Sequence, residues 1–168
     1  MDPQIINNTL DEILACVCAA LANGSCGCPC YAFIATGAVV PWDHCCDGGQ
    51  LWVKLERMYA TANFPSQDNS TLQCGVTWSA DILVGILRCG PVLDDQGLPP
   101  NPDDVTATSV LVYEDMALVA PAIACCLGQA KKYRQYRISD FRPVNPQGGC
   151  YGSELRLTIE LLPYPVSS

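Results

Sequence analysis

Cysteine is the residue type in this chain with the greatest capacity for chemistry, since twelve occur in 168 residues. Three alternate from Cys26 to Cys30, and adjacent pairs occur at Cys45-Cys46 and Cys125-Cys126. Such a content suggests disulfides in a secreted chain, and bound metal or free buried thiols in a cytosolic one. The first residues lack the basic segment and long apolar stretch of a secretory signal. We therefore expect a protein made in the cytosol, with most cysteines free and any disulfide forming late.

A structural zinc site is the main chemical alternative, because thiolates are preferred ligands of Zn²⁺. The candidate ligands are close in sequence: Cys26, Cys28, Cys30, His44, Cys45 and Cys46. The C-x-C-x-C spacing, however, differs from the C-x₂₋₄-C spacing with which two thiolates of a knuckle face one ion. Small buried thiols or disulfides explain these cysteines more simply. We expect no metal and no cofactor.

Other catalytic arrangements have weaker support in the sequence. His44 is the only histidine, and it adjoins Cys45, but the partners in a catalytic triad usually meet through the fold and not along the chain. The pairs Asp94-Asp95 and Asp103-Asp104 fit a solvated loop and the start of a helix, so they do not indicate general acid-base catalysis. Neither Gly48-Gly49 nor Gly148-Gly149 continues into a phosphate-binding loop. We expect no catalytic residues and no enzyme activity.

The sequence predicts two helices, which would help to position any functional site. Apolar residues at helical spacing predict the first helix over residues 4–22, ended by Asn23-Gly24. Asn101, Pro102 and the two following aspartates predict the start of the second helix. This helix should extend to about Leu127 and end at Gly128, with a kink or break at Pro121.

Alternating apolar residues predict the strands. The predicted segments are Tyr31–Ile34, Gln50–Ala60, Leu72–Arg88, Lys131–Arg142 (as strand or ordered loop) and Ser153–Leu162. In the second segment, Leu51, Val53, Leu55 and Tyr59 share the better-buried side, opposite Trp52, Lys54, Glu56 and Met58. In the last segment, Leu155, Leu157, Ile159 and Leu161 face the core, whereas Glu154, Arg156, Thr158 and Glu160 face solvent or a neighbour. This order predicts one α+β domain over residues 1–168, with two layers and two main helices on one face of a mixed or antiparallel sheet.

The charge distribution suggests a protein partner. The net charge is −8, which disfavours a cationic surface for binding nucleic acid. A membrane is not an expected partner either, because no apolar run reaches the roughly 20 residues of a membrane span. Five of the nine basic residues lie between Lys131 and Arg142, among aromatic side chains. Because Tyr and Arg are favoured at interfaces, this segment is a candidate subunit interface. Its proposed contact residues are Tyr133, Arg134, Tyr136 and Arg137.

Four short strings resemble a known family of virion proteins. They are Cys28-Pro29-Cys30-Tyr31-Ala32-Phe33, the stretch from Cys45-Cys46-Asp47-Gly48-Gly49 to Leu55, Leu87-Arg88-Cys89-Gly90-Pro91-Val92, and Gly148-Gly149-Cys150-Tyr151-Gly152. Together they resemble head-to-tail connector proteins of long-tailed phages that infect actinobacteria. The order of helices and strands resembles the tail terminator among these proteins.

The resemblance implies a non-catalytic homo-oligomeric ring, expected to be a hexamer, assembled in the host cytoplasm and carried in the neck of the virion. The implied partners are the major tail tube protein and a head-to-tail stopper or adaptor, with no membrane. DNA would pass through the ring without specific binding, and acidic residues should be weighted toward the lumen. A strand-rich stopper is the closest alternative, followed by a mainly helical adaptor. A metal-binding or redox protein is the alternative from another class.

Overall fold

A computed structural model describes residues 3–37, 39–68, 76–129 and 133–161. The elements in chain order are α1 (Pro3–Leu21), β1 (Tyr31–Ala35), β2 (Gln50–Thr61), β3 (Thr77–Cys89), α2 (Pro102–Gln129), β4 (Tyr133–Gln147) and β5 (Cys150–Leu161). Both predicted helices and all five predicted strand regions are present. Three parts of the predicted strands lie outside the described residues: residues 72–75 of the third strand, Lys131 and Lys132 of the fourth, and Leu162 of the last.

The first helix buries one face, as its sequence periodicity predicts. Leu10, Ile13, Val17 and Leu21 are each at most 4% exposed, and their spacing of three and four residues places them on one side. Gly24 donates its backbone N–H to Leu21 O, which satisfies a carbonyl at the end of the helix.

The second helix starts where its capping residues predict. Asn101 Oδ1 accepts the backbone N–H of Asp103 at 3.0 Å, and Asp103 and Asp104 lie in the first turn. The helix continues without interruption through Pro121 to Gln129, so of the two predicted outcomes, a kink or a break at this proline, the break is wrong. Pro121 is on the exposed side of the helix. The carbonyl that loses its hydrogen bond there lies towards solvent, which lowers the cost of the missing donor.

Helix α2 is also long and apolar enough to cross a membrane. An 18-residue window has a mean hydropathy of 1.8, and 28% of that window is buried in the fold. Length and composition alone are weak support for a membrane span, because the core helix of a soluble protein has the same properties. The buried side chains of this helix include Val112, Val119, Ile123 and Leu127, which pack into the core of the domain.

The sheet is mixed and its strands are ordered β1-β2-β3-β5-β4. The edge strand β1 is parallel to β2, and the other three neighbouring pairs are antiparallel. Both helices pack on one face, where a single core cluster joins residues of α1 and α2 to alternate residues of β2, β3 and β5. The α+β class and the two-layer arrangement are therefore as predicted, with β3 at the centre of the sheet.

The predicted side-chain pattern of β5 is correct for the core and wrong for part of the other face. Leu155, Leu157, Ile159 and Leu161 are each at most 1% exposed. Thr158 and Glu160, predicted to face solvent or a neighbour, are also buried, at 7% and 5% exposure. Alternation shows which side chains share a face, but not whether other parts of the chain cover that face.

A β-bulge in β2 changes the predicted sides of that strand. The register with β3 shifts between Leu55 and Arg57, so Met58 lies opposite Ala80 and packs against the core. Tyr59 consequently lies on the opposite face, where its hydroxyl donates to Pro65 O at 2.8 Å. One extra residue in a strand moves every later side chain of that strand to the opposite face of the sheet. Trp52 and Lys54 are also buried, at 1% and 7% exposure, so both faces of this strand are covered.

Four disulfides occupy eight of the cysteines. They are Cys16–Cys126, Cys18–Cys28, Cys45–Cys150 and Cys46–Cys89, with Cα–Cα distances of 6.5, 4.9, 5.7 and 4.4 Å. The structure is thus that of the disulfide-bonded form, and the expectation that most cysteines are free in the newly made protein stays a prediction. Cys26, Cys30 and Cys125 are free and exposed, and Cys74 lies outside the described residues. Three of these bonds join cysteines at least 43 positions apart, and sequence spacing alone does not determine such pairings.

A buried ion pair connects the sheet to α2. Arg88 donates from Nε to Asp115 Oδ2 at 2.9 Å and from Nη2 to Asp115 Oδ1 at 3.1 Å. Nη2 also donates to the backbone oxygen of Gly27 at 2.7 Å. Both side chains are at most 7% exposed. This two-pronged contact fixes β3, α2 and the segment after α1 relative to one another.

Candidate functional site

The predicted interface segment forms β4, the outer strand of the sheet. This strand covers 15 residues and pairs only with β5. Its pairing is interrupted by register shifts at three places, and Pro143 and Pro146 lie in its second half. Bulges and prolines are features that prevent an exposed edge from recruiting another strand. Contacts along β4 would therefore depend on side chains more than on an extended sheet.

The four proposed contact residues do not all face the same way. Tyr136 is half-buried, packs against the core and donates its hydroxyl to Ala124 O of α2 at 2.9 Å. Its hydroxyl and part of its ring are therefore used within the fold, and only the rest of the side chain could contact a neighbouring subunit. Arg137 lies on the opposite face and is exposed. Tyr133 and Arg134 are in the strand, but their side chains lie outside the described part of the structure.

Arg137 borders a polar groove of about 290 Å³ on the sheet face away from the helices. Within the groove, Arg57 Nε lies 2.6 Å from Asp81 Oδ2, and Thr158 donates to Asp81 Oδ1 at 2.7 Å. The negative charge of Asp81 is therefore already balanced by Arg57, and its carboxylate accepts a hydrogen bond from Thr158. Across the described residues, no carboxylate forms an ion pair with Arg137. This guanidinium is free to pair with an acidic group from another molecule.

The same groove raises two pKa values. The hydrogen bond and charge of Asp81 raise the pKa of Arg57, while burial, followed by the charge of Asp81, raises the pKa of Tyr59. Because the pKa of Tyr59 is higher in the folded than in the unfolded chain, the neutral hydroxyl stabilises the fold. This stabilisation is complete at pH values below the ordinary tyrosine pKa of about 10. That contribution is lost as the pH rises through the folded-state value.

A second exposed surface is the loop over residues 90–100, called the 90–100 loop. It exposes three large apolar side chains, with Val92 at 59%, Leu93 at 61% and Leu98 at 55% exposure. The loop is nevertheless ordered, since Asp94 Oδ1 accepts backbone N–H groups from Gln96 and Leu98 at 2.9 and 2.8 Å. Apolar side chains on a fixed loop are suited to contact with another molecule.

The two acidic pairs have structural roles at three of their four positions. Asp94 closes the 90–100 loop by accepting backbone N–H groups, and Asp103 and Asp104 occupy the first turn of α2. There they offset the positive end of the helix dipole. Three of the four carboxylates thus contribute to loop structure or to the start of a helix.

The two cysteines that follow His44 in the sequence have no free thiol in this structure. Cys45 and Cys46 are both in disulfides, and a disulfide sulfur cannot act as the nucleophile of a cysteine-histidine pair. The imidazole is 47% exposed, stacks on Tyr31 at 4.1 Å between centroids, and has Nδ1 3.4 Å from Asp47 Oδ2. His44 thus belongs to a surface turn.

The zinc ligands considered from sequence are also separated by the disulfides. Cys28 pairs with Cys18, while Cys45 and Cys46 pair with strand cysteines, which leaves only Cys26, Cys30 and His44 from the original set. In the disulfide-bonded form, the described residues contain no group of three histidine, cysteine or acidic side chains placed to hold a metal.

We expect His44→Ala to leave folding and self-assembly close to those of the parent. The exposed contact of His44 with Asp47 contributes little, because surface ion pairs are worth about 0 to 1 kcal/mol. The measurements are circular dichroism and the mass of the protein in solution from light scattering coupled to size exclusion. A folded variant that fails to assemble would show that His44 has a functional role.

No protein-family model matches the chain, and a search of curated proteins finds no match either.

Proposed function

We propose that this protein is a structural subunit of a phage neck, specifically a tail terminator whose ring caps the tail tube and joins it to the head connector. The observation that carries the proposal is the exposed, unpaired guanidinium of Arg137 on the bulged edge strand β4. The resemblance of the four sequence strings to connector proteins supplies the biological setting. The proposed activity is assembly, without a chemical step.

A ring requires two different surfaces on each subunit, because a head-to-tail interface joins unlike patches. The side of β4 that bears Arg137 offers positive charge. The 90–100 loop offers apolar side chains together with the exposed carboxylate of Asp95. Charge complementarity between two such surfaces would set the orientation of neighbouring subunits and speed their association. We propose that these surfaces meet, or that one of them contacts the tube.

The two other neck positions remain as alternatives. A mainly helical adaptor is disfavoured by a fold in which a five-stranded sheet forms a whole layer. A stopper is also strand-rich, so the placement must be tested directly. When purified protein is mixed with tail tubes lacking their cap, a terminator should appear at tube ends in negative-stain micrographs. Binding only to filled heads would instead favour a stopper.

The proposed interface is tested with a double variant that carries both Arg134→Glu and Arg137→Glu. We expect a folded monomer that no longer forms rings or caps tubes, because like charges would now oppose the acidic partner surface. Light scattering coupled to size exclusion gives the mass of the assembly, and micrographs give its position. The matched control is Arg137→Lys, which keeps the charge and should retain assembly. Rings from the double glutamate variant would contradict the proposed interface.

A further inference from the structure

Four cysteines from two disulfides form one compact group, which we call the four-cysteine cluster. Its members are Cys45, Cys46, Cys89 and Cys150. Cys45 and Cys46 are adjacent in sequence, and their sulfur atoms are 3.8 Å apart although they belong to different disulfides. Cys89 and Cys150 lie directly opposite each other on β3 and β5. Each cysteine is therefore bonded to one member of the cluster and adjacent to another, either in sequence or across the sheet.

One sulfur–sulfur distance in this cluster already matches that of a tetrahedral metal site. With a Zn–S bond of about 2.3 Å, two thiolates of a tetrahedral site lie about 3.8 Å apart. The sulfurs of Cys45 and Cys46 already have this separation. After reduction, each bonded pair has to open from about 2 Å to about 3.8 Å, which side-chain rotation can achieve. The Cα–Cα distances of the two bonds are 5.7 and 4.4 Å, so the backbones already lie close.

The backbone and burial of the cluster also suit a metal. Gly48 and Gly49 have φ values of 94° and 88°, which turn the chain tightly after Cys46. Cys45 and Cys150 are 4% and 2% exposed, while Cys46 and Cys89 are exposed. An ion could thus enter from solvent and be held on a buried side. His44 is not needed, since its ring contacts Tyr31 and Asp47.

We propose that the reduced protein binds one Zn²⁺ ion, or a similar thiophilic divalent ion, through the four-cysteine cluster. Four thiolates satisfy the tetrahedral coordination of a structural zinc site, and binding releases the protons of the thiols. The disulfide-bonded and metal-bound forms exclude each other, because both use the same four sulfurs. This site differs from the C-x-C-x-C candidate and does not depend on the proposed function in the phage neck.

The test uses the full chain, freed of metal with a chelator and reduced by a water-soluble phosphine without oxygen. Each disulfide then becomes two thiols, and the phosphine becomes its oxide with oxygen from water. Titration with Co²⁺ should give the visible absorption bands of tetrahedral thiolate coordination, saturating at one ion per chain. Added Zn²⁺ should remove these bands. The unreduced protein should show none of them.

Two double variants locate the site. Cys46→Ser with Cys89→Ser should abolish the bands at Co²⁺ concentrations that saturate the parent, whereas Cys26→Ser with Cys30→Ser should retain them. If the first variant does not fold, iodoacetamide labelling of the zinc-bound parent should leave the cluster cysteines unmodified, as identified by peptide mapping. The proposal is overturned if the reduced parent takes up no stoichiometric Co²⁺, if the first variant still binds it, or if Zn²⁺ protects other cysteines instead.

Discussion

Asp115→Ala should lower the free energy of unfolding by about 3 to 5 kcal/mol, because it leaves the buried Arg88 guanidinium without its counter-ion. Arg88 would keep its hydrogen bond to Gly27 O, which carries no negative charge. The measurement is urea unfolding followed by circular dichroism, with the same disulfides intact in parent and variant. A loss of this size is a large part of the 5 to 15 kcal/mol that stabilises a typical domain.

The matched control is Arg57→Ala, which breaks an ion pair whose arginine is 60% exposed. Its cost should stay near or below about 1 kcal/mol. A second comparison replaces both partners of the buried pair, with Arg88→Met and Asp115→Leu, and should recover most of the loss. If Asp115→Ala costs no more than Arg57→Ala, the buried pair is not the tie between sheet and helix described above.

Leu157→Ala should cost about 2 to 5 kcal/mol, because this side chain is 1% exposed in the core beneath both helices. The range reflects how far the neighbouring side chains can close the cavity. The control is Leu98→Ala in the 90–100 loop, where the leucine is 55% exposed and the change should stay within about 0.5 kcal/mol. Equal unfolding midpoints for Leu157→Ala and the parent would show that the register of β5 is wrong.

Local signals in the sequence predict the elements of this fold well. The start of α2 follows from Asn101 and Pro102, whose effects act within one turn. The core side of β5 follows from strict alternation, since side chains of a strand point to opposite faces. These features depend on residues close together in the chain, so they can be read without knowing the tertiary structure.

The errors arise where distant parts of the chain decide the outcome. Tyr59 lies on the face of the sheet opposite to the predicted one because of a bulge at Glu56. No residue of β2 indicates this bulge in the sequence. How much of the Tyr136 side chain is used within the fold also depends on another element, because its hydroxyl donates to a carbonyl of α2 twelve positions earlier. The alternating pattern predicts that Thr158 faces solvent, but its hydroxyl donates to Asp81 on the neighbouring strand. Each case requires the packing of the sheet to be known.

The candidate site is predictable to a smaller extent. Composition identifies the segment containing Arg137, because basic and aromatic residues concentrate there. It does not identify which side chains remain exposed, and it gives no indication that the 90–100 loop is ordered through Asp94. The pairing of cysteines is less predictable still, since the sequence allows many combinations and only the fold selects among them.

The disulfide between α1 and α2 also determines how the oxidised protein would respond to mechanical tension. A force applied at the two ends of the chain would pass directly from Cys16 to Cys126 through their covalent bond. Strands β1, β2 and β3 lie within the loop closed by this bond, so the covalent path of the load bypasses them. Tension would act instead on the first turns of α1, the end of α2 and the two strands β4 and β5. The oxidised chain would therefore extend only in part under load, whereas the reduced chain could be drawn out along its whole length.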